Sequence, residues 1–177
     1  MRNPASPAFA AIITPIDRLT EAANVLAALS LLGIFILIAC EIFLRNLAGY
    51  SLPFAWDVAA YLMAASFMLA GASALKSGSH VRVTAIGEAL SSTGARRLDM
   101  VACLVGLVIC IALSVALTDM AMLSALRGST SSSVIRIPLV YPQSALAIGA
   151  IILNLQMLAQ FLRLLRGETL STGPGLE

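Results

Sequence analysis

Charged side chains are scarce in this sequence. Only 11% of its 177 residues are Asp, Glu, Lys or Arg, whereas a soluble domain carries about 25%. Hydrophobic residues make up 59% of the chain, and the mean hydropathy is +0.94. These values exclude an ordinary soluble domain and equally a disordered chain. The net charge of +2 is too balanced for a basic surface that binds nucleic acid, so we expect a polytopic membrane protein with no nucleic-acid partner.

Soft metal ligands and cysteine pairs are also few. The chain has one His and three Cys, with no C-x-x-C motif, which is too few for a structural zinc site or a disulfide scaffold. Cys103 and Cys110 are seven residues apart, which is about 10 Å along one helix, and a disulfide needs Cα atoms within about 7 Å. We therefore expect no metal, no cofactor and no catalytic residue, and a thiol oxidoreductase is poorly supported.

The few charges enclose four long uncharged runs. A run of 19 residues makes a helix of about 28 Å, which matches a hydrocarbon core of about 30 Å. In lipid, backbone polar groups must be satisfied internally, so such runs cross as helices. The uncharged runs are Ala22–Cys40, Val58–Leu75, Met100–Thr118 and Ile137–Leu162. The sequence predicts an all-α integral membrane fold, a single domain over 1–177 with transmembrane helices at about 22–44, 57–76, 99–119 and 138–163.

The first hydrophobic run is predicted to be a signal anchor and not a cleaved signal peptide. It begins about 20 residues into the chain and is longer than the usual hydrophobic region of about 7–15 residues. The segment that follows, from Glu41 to Arg45, lacks a small-residue cleavage pattern.

Basic residues predict the orientation in the membrane. Four spans place both termini on one side, and cytoplasmic segments carry the excess of Lys and Arg. Arg45, Arg127 and Arg136 lie on the other side. The side of the termini holds Arg2, Arg18, Lys76, Arg82, Arg96, Arg97, Arg163 and Arg166. We expect cytoplasmic termini, a cytoplasmic loop over 77–98, and outward-facing hairpins at 45–57 and 119–136.

The predicted spans contain small and amide side chains but no charge near their centres. Ion and proton pathways usually contain ionisable residues despite the cost of burying them, at least about 2.5–3.5 kcal/mol each. Asn154 and Gln156 are expected to hydrogen-bond between helices. Small residues also recur at helical spacing, which favours close helix packing and leaves a substrate path as the alternative. These stripes are Ala59, Met63, Ser66, Ala70 and Ser73 in the second span and Cys103, Gly106, Cys110 and Ser114 in the third.

Ionisable residues gather instead at the predicted outer boundary. Glu41 and Arg45 are four residues apart in the order that favours a helical ion pair, and Asp57 opens a helix, where the dipole favours an anion. The group is either a set of weak interfacial ion pairs or a docking surface. Its members are Glu41, Arg45, Asp57, Asp119, Arg127 and Arg136.

A second motif lies on the predicted cytoplasmic side. Lys76, Gly78, His80 and Arg82 begin a segment in which Val83, Ile86 and Leu90 follow helical spacing. This pattern predicts a short amphipathic helix at the membrane interface between the second and third spans, with its basic residues near lipid headgroups.

Three sequence elements together resemble the small permease (Q-type) subunit of tripartite ATP-independent periplasmic (TRAP) transporters. Arg45 is followed by Ser51-Leu-Pro53-Phe54-Ala-Trp56-Asp57, a turn before an acidic residue, and Pro138 and Pro142 open the fourth span. The second span ends in Gly71-Ala-Ser-Ala-Leu-Lys76-Ser-Gly78-Ser-His80-Val81-Arg82-Val83. The likeness covers roughly residues 20 to 165. Two positions depart from it, because Asp57 stands where the family often has two Glu, and Thr84 where it commonly has Asp.

The resemblance implies a subunit that does not carry substrate itself. Such a subunit would scaffold a large permease, which moves organic acids such as dicarboxylates with sodium across a bacterial inner membrane. It would also contribute to docking a periplasmic substrate-binding protein. The residues that the resemblance and the charge pattern assign to subunit or docking interfaces are Glu41, Arg45, Ser51, Pro53, Asp57, Asp119, Arg127 and Arg136.

Two other functions remain open from the sequence. An autonomous four-helix exporter resembling the small multidrug resistance class would couple protons through a membrane Glu, for which Glu41 is the candidate. A membrane enzyme is disfavoured because pairs of Cys, His or carboxylate residues are missing at depth.

The orientation is testable with reporter fusions. A fusion at Glu177 should report the cytoplasm, and a fusion within Ser129–Ser133 should report the opposite side, because basic residues favour the cytoplasmic face. A periplasmic signal from the Glu177 fusion would overturn the topology.

Overall fold

Four long helices make up the fold in a computed structural model, which describes residues 7–78 and 92–167. They are α1 (Pro7–Leu47), α2 (Ala55–Lys76), α3 (Ser92–Arg127) and α4 (Val140–Leu165). Each is long and apolar enough to cross a membrane. The predicted all-α membrane fold with four transmembrane helices is confirmed. The predicted interfacial helix, with His80 and Arg82, lies outside the described residues.

Two of the helices are much longer than a bilayer requires. At 1.5 Å per residue, the 41 residues of α1 span about 60 Å and the 36 residues of α3 about 54 Å. Both extend past the predicted spans, and the added turns of each are largely apolar. The end of α3 is set by Gly128, whose φ of 61° allows the N–H of Ser129 to reach the carbonyl of Ser124 at 3.0 Å.

The helices pack unequally. α1, α2 and α4 contact one another and form a three-helix group, whereas α3, within the described residues, packs against α4 alone. Lys76 at the end of α2 contacts Asp17 of α1, and Arg96 at the start of α3 contacts Leu164 of α4. We call this the termini end of the bundle. The opposite end, which holds the connections 48–54 and 128–139, is the hairpin end.

Small side chains form most of the buried surface. One cluster joins Ala23 and Ala27 of α1 to Leu69 and Ala72 of α2 and Ile152 of α4. In lipid, where apolar burial gives no drive for helix association, small residues let helix backbones come close enough for dispersion contacts.

The predicted small-residue stripes mostly lie in helix contacts. Cys103, Cys110 and Ser114 of α3 are buried, as is Ser66 of α2. Met63, which was placed on the α2 stripe, is 52% exposed, because the buried face of α2 runs through Ala65, Leu69 and Ala72 instead. Burial against neighbouring helices favours packing over a substrate path.

Helices α2 and α4 approach each other closely at Gly149. A Cβ atom there would lie 2.7 Å from the Cβ of Met68 and 3.0 Å from the Met68 carbonyl carbon. No side chain fits at this position unless α2 and α4 separate.

A Gly149→Ala substitution should therefore destabilise the chain by about 1–3 kcal/mol, the usual cost of overpacking. Gly71→Ala is the matched control, because its new Cβ would lie 3.9 Å from the nearest atom, Cδ1 of Leu153. Thermal midpoints in detergent should fall for the first variant and stay or rise for the second. Equal midpoints would show that the α2–α4 contact is not tight.

Candidate functional site at the two ends of the bundle

A chain of polar contacts crosses the termini end of the three-helix group. The carboxylate of Asp17 in α1 accepts a hydrogen bond from Nη2 of Arg163 in α4 at 2.5 Å. Nη1 of Arg163 donates to Oε1 of Gln160 at 2.9 Å, and Nε2 of Gln160 donates to the carbonyl of Leu75 in α2 at 3.0 Å. One arginine thus links a carboxylate on α1 to the backbone of α2.

Lys76 closes the same network from α2. Its Nζ lies 2.7 Å from Oε1 of Glu21 and 3.9 Å from Oδ2 of Asp17. Lys76, the first residue of the predicted cytoplasmic motif, therefore contacts α1. Gly78, two residues later, has a φ of 73° and donates to the carbonyl of Leu75, which ends α2.

Gln156 extends the network into the span. The residue is 0% exposed; its Oε1 accepts from Oγ1 of Thr20 at 2.9 Å, and its Nε2 lies 3.4 Å from Oδ1 of Asp17. The prediction that Gln156 bonds between helices is confirmed. Asn154 was given the same role and makes no hydrogen bond with the described residues, because its position on α4 lies away from the α1 contact.

Asp17, Glu21 and Gln160 were not identified from the sequence as interacting residues. Their spacing carried a signal: Asp17 and Glu21 are four residues apart, as are Gln156 and Gln160, and Arg163 follows one turn later. Two polar stripes at the same predicted membrane face are typical of paired helices.

At the hairpin end, Glu41 holds the connection between α1 and α2. The residue is only 1% exposed, and its carboxylate accepts from Oγ of Ser51 and from the backbone N–H of Leu52, each at 2.6 Å. Glu41 and Arg45, whose spacing allows a helical ion pair, form none among the described residues. The chain turns back after α1 and brings Ser51 and Leu52 to the carboxylate, while Arg45 stays exposed.

The other predicted residues on this side of the hairpin end have different surroundings. Pro53 is exposed in the connection. Asp57 lies in the first turn of α2, and its Oδ2 is buried without a hydrogen-bond partner among the described residues.

The remaining predicted residues lie on α3 and the connection after it. Asp119 and Arg127 line one groove of about 330 Å³ in the half of α3 nearer the hairpin end, together with Ala116, Met120, Leu123, Ser124 and Ser129. Arg136 is exposed in the connection, with a φ of 50°. Within that connection, the N–H of Ser131 donates a hydrogen bond to the carbonyl of Ile137 at 2.8 Å.

The predicted outer cluster is therefore two separate groups. Because α3 does not contact α1 or α2 in the described part of the chain, the residues around the first hairpin and those around the second lie on different helices of the bundle. The first group supports its hairpin through Glu41, and the exposed arginines of both groups can meet a partner.

A metal centre has no counterpart among the residues that the structure describes, where no three His, Cys, Asp or Glu side chains come together. The arrangement can hold helices together. Hydrogen bonds do so at both ends, ion pairs do so at the termini end, and exposed charges lie beyond these contacts.

The family model for the DctQ component of tripartite ATP-independent periplasmic transporters matches residues 34–167. The chain belongs to this family. The resemblance inferred from Arg45, Pro53 and the segment after Gly71 is confirmed, and the family is one of transporter components and not of enzymes. No curated protein matches the chain.

The matched region covers the hairpin end completely but only part of the network at the termini end. Gln156, Gln160 and Arg163 lie within it, whereas their α1 partners Asp17 and Thr20 precede it. The contacts that hold the first half of α1 to α4 therefore use α1 residues that the family match does not cover.

Two amides of α4, Gln156 and Asn154, provide a matched test of the network. Gln156→Leu should lower the free energy of unfolding by about 0.5–2 kcal/mol, the range found for interhelical hydrogen bonds in membranes. Asn154→Leu removes an amide that has no such bond and should change stability little. Unfolding in mixed micelles measures both, and equal losses would contradict the contacts of Gln156.

Proposed function

We propose that this DctQ-family chain is the small, non-conducting membrane subunit of a sodium-coupled TRAP transporter for organic acids. It scaffolds the large permease subunit in a bacterial inner membrane and contributes to docking the periplasmic substrate-binding protein. The observation that carries the proposal is the DctQ match over residues 34–167, in a chain whose uncharged runs leave the span centres without an ionisable side chain.

The absence of central charges argues against conduction by this chain alone. Pathways for ions or organic acids use ionisable residues near the membrane centre despite their cost. The deepest polar pair on the α1–α4 contact is Thr20 with Gln156, which hydrogen-bond to each other. Groups already paired in this way stabilise a helix contact and leave no free ligand for a substrate.

Contacts that hold the helices together at both ends of the bundle suit a scaffold. Asp17, Lys76 and Arg163 join α1, α2 and α4 at the termini end, and Glu41 holds the α1–α2 connection at the hairpin end. A group of helices tied at both ends offers a stable surface for a partner that moves.

Aromatic side chains support an orientation with the hairpin end at a membrane interface. Tyr50, Trp56 and Tyr141 are all exposed and all lie at this end, as in the aromatic belts at membrane–water boundaries. With the termini in the cytoplasm, the hairpin end faces the periplasm, where the exposed Arg45, Arg127 and Arg136 can attract the binding protein. Glu41 and Ser51 take no direct part in that docking, since each uses its side chain in the hairpin.

The exporter alternative loses its main support in the structure. A proton-coupled drug site needs an accessible carboxylate, whereas the carboxylate of Glu41 is buried and holds two donors of the hairpin.

Transport assays test the non-conducting role. The purified chain alone in liposomes should accumulate no organic acid under a sodium gradient, and uptake should require the large permease and the binding protein. Uptake by this chain alone would refute the proposal, and so would full uptake by the other two components without it.

Docking is tested by charge reversal at Arg136. Arg136→Glu should weaken the association of the binding protein with the complete transporter and flatten its salt dependence, because exposed charges steer encounters and are screened over about 8 Å at physiological salt. Arg97→Glu, an exposed arginine at the termini end, is the control and should change neither quantity. An unchanged salt slope for Arg136→Glu would show that this charge is only solvated.

A further inference from the structure

Helix α3 presents three different faces. The face against α4 carries small buried residues, including Cys103, Cys110 and Ala121. A second face is exposed and carries mainly large aliphatic side chains in the half nearer the hairpin end, namely Val108, Ile111, Val115, Met122 and Leu126, with Asp119 at the edge it shares with the third face. The third, which we call the groove face, carries Ala112, Ala116, Asp119, Leu123 and Arg127, which follow one another at three- and four-residue steps.

The groove face differs from the aliphatic face in the properties that matter in lipid. Large aliphatic side chains are the expected contacts of acyl tails. Ala112 and Ala116 leave the backbone open to close approach, and Ala116 lines the groove of about 330 Å³. Asp119 and Arg127 are exposed, and neither forms an ion pair or hydrogen bond with the described residues.

The depth of Asp119 follows from the antiparallel packing of α3 on α4. Gly106 meets Met157, and Arg96 donates to the carbonyl of Leu164. Counting the same number of residues from Gly106 towards the end of α3 and from Met157 towards the start of α4 reaches Met122 and Tyr141. These two residues are therefore level with each other at the aromatic boundary. Asp119 is then about 4.5 Å deeper, just within the apolar layer. A carboxylate at this depth is unfavourable against lipid, so a basic partner is favoured there.

We propose that the groove face of α3 receives a transmembrane helix of the large permease subunit, which presents a Lys or Arg to Asp119. The inference rests on the proposed function and names the surface that performs it. Ala112 and Ala116 allow the backbones to approach, and Arg127, beyond the boundary, stays available to the binding protein.

Charge decides between this partner and a second copy of the chain. Two copies in one membrane share an orientation, so a two-fold contact through the groove face would set Asp119 against Asp119 and Arg127 against Arg127 at equal depths. Like charges repel at both positions. A different protein with complementary charges fits the face, and a self-contact does not.

Photo-crosslinking distinguishes the faces with adjacent residues as controls. The full chain carries p-benzoyl-phenylalanine in place of Ala116 or Leu123 on the groove face, or of Val115 or Met122 on the aliphatic face, and is co-expressed with the large permease. Crosslinks to the large permease should be about tenfold stronger from Ala116 and Leu123 than from their neighbours. Equal crosslinking from the two faces, or crosslinks from the groove face to a second copy of the chain, would overturn the proposal.

Charge variants at Asp119 give the second measurement. Asp119→Lys should reduce the large permease that co-purifies with the chain by about tenfold or more, whereas Asp119→Glu should retain it. Because Asp119 is exposed, both variants should fold, which gel filtration of the chain verifies. Full retention by Asp119→Lys would overturn the groove face alone, and a wild-type chain that binds no large permease would overturn the proposed function with it.

Discussion

The contact between Asp17 and Arg163 is the interaction on which the three-helix group depends most. It joins the first helix to the last across almost the whole sequence, and it positions the groups around it. Arg163 holds Gln160 against the backbone of α2, and the Asp17 carboxylate lies beside both Lys76 and Gln156. Apolar burial gives no comparable drive between helices in lipid, so polar contacts and close packing must fix their arrangement.

The distribution of polar groups connects this architecture to the proposed function. Ion pairs and buried hydrogen bonds lie near the two ends of the bundle, small residues fill the helix contacts between them, and charges that no contact uses remain exposed at the hairpin end. Such a molecule resists rearrangement of its own helices while it offers surfaces to others. The proposed support of a moving permease needs both properties, and a carrier would need mobile, ionisable groups at its centre.

The sequence predicted the four helices because the length of an uncharged run is enough to show that it can cross lipid. It also predicted Gln156 as an interhelical amide, since a polar group at depth requires a partner. The partners themselves depend on how distant segments align, which spacing does not reveal. The contact of Asp17 with Arg163, and the return of the hairpin that brings Ser51 to Glu41, are tertiary features of this kind.

A double-mutant cycle at Asp17 and Arg163 tests most directly whether the contact between them holds α1 to α4. The free energy of unfolding in mixed micelles is measured for the wild type, Asp17→Asn, Arg163→Gln and the double variant. The account predicts a coupling energy of about 0.5–3 kcal/mol, with the double variant losing less than the sum of the two single losses. Strictly additive losses would contradict it, because they would mean that these two side chains stabilise the bundle independently.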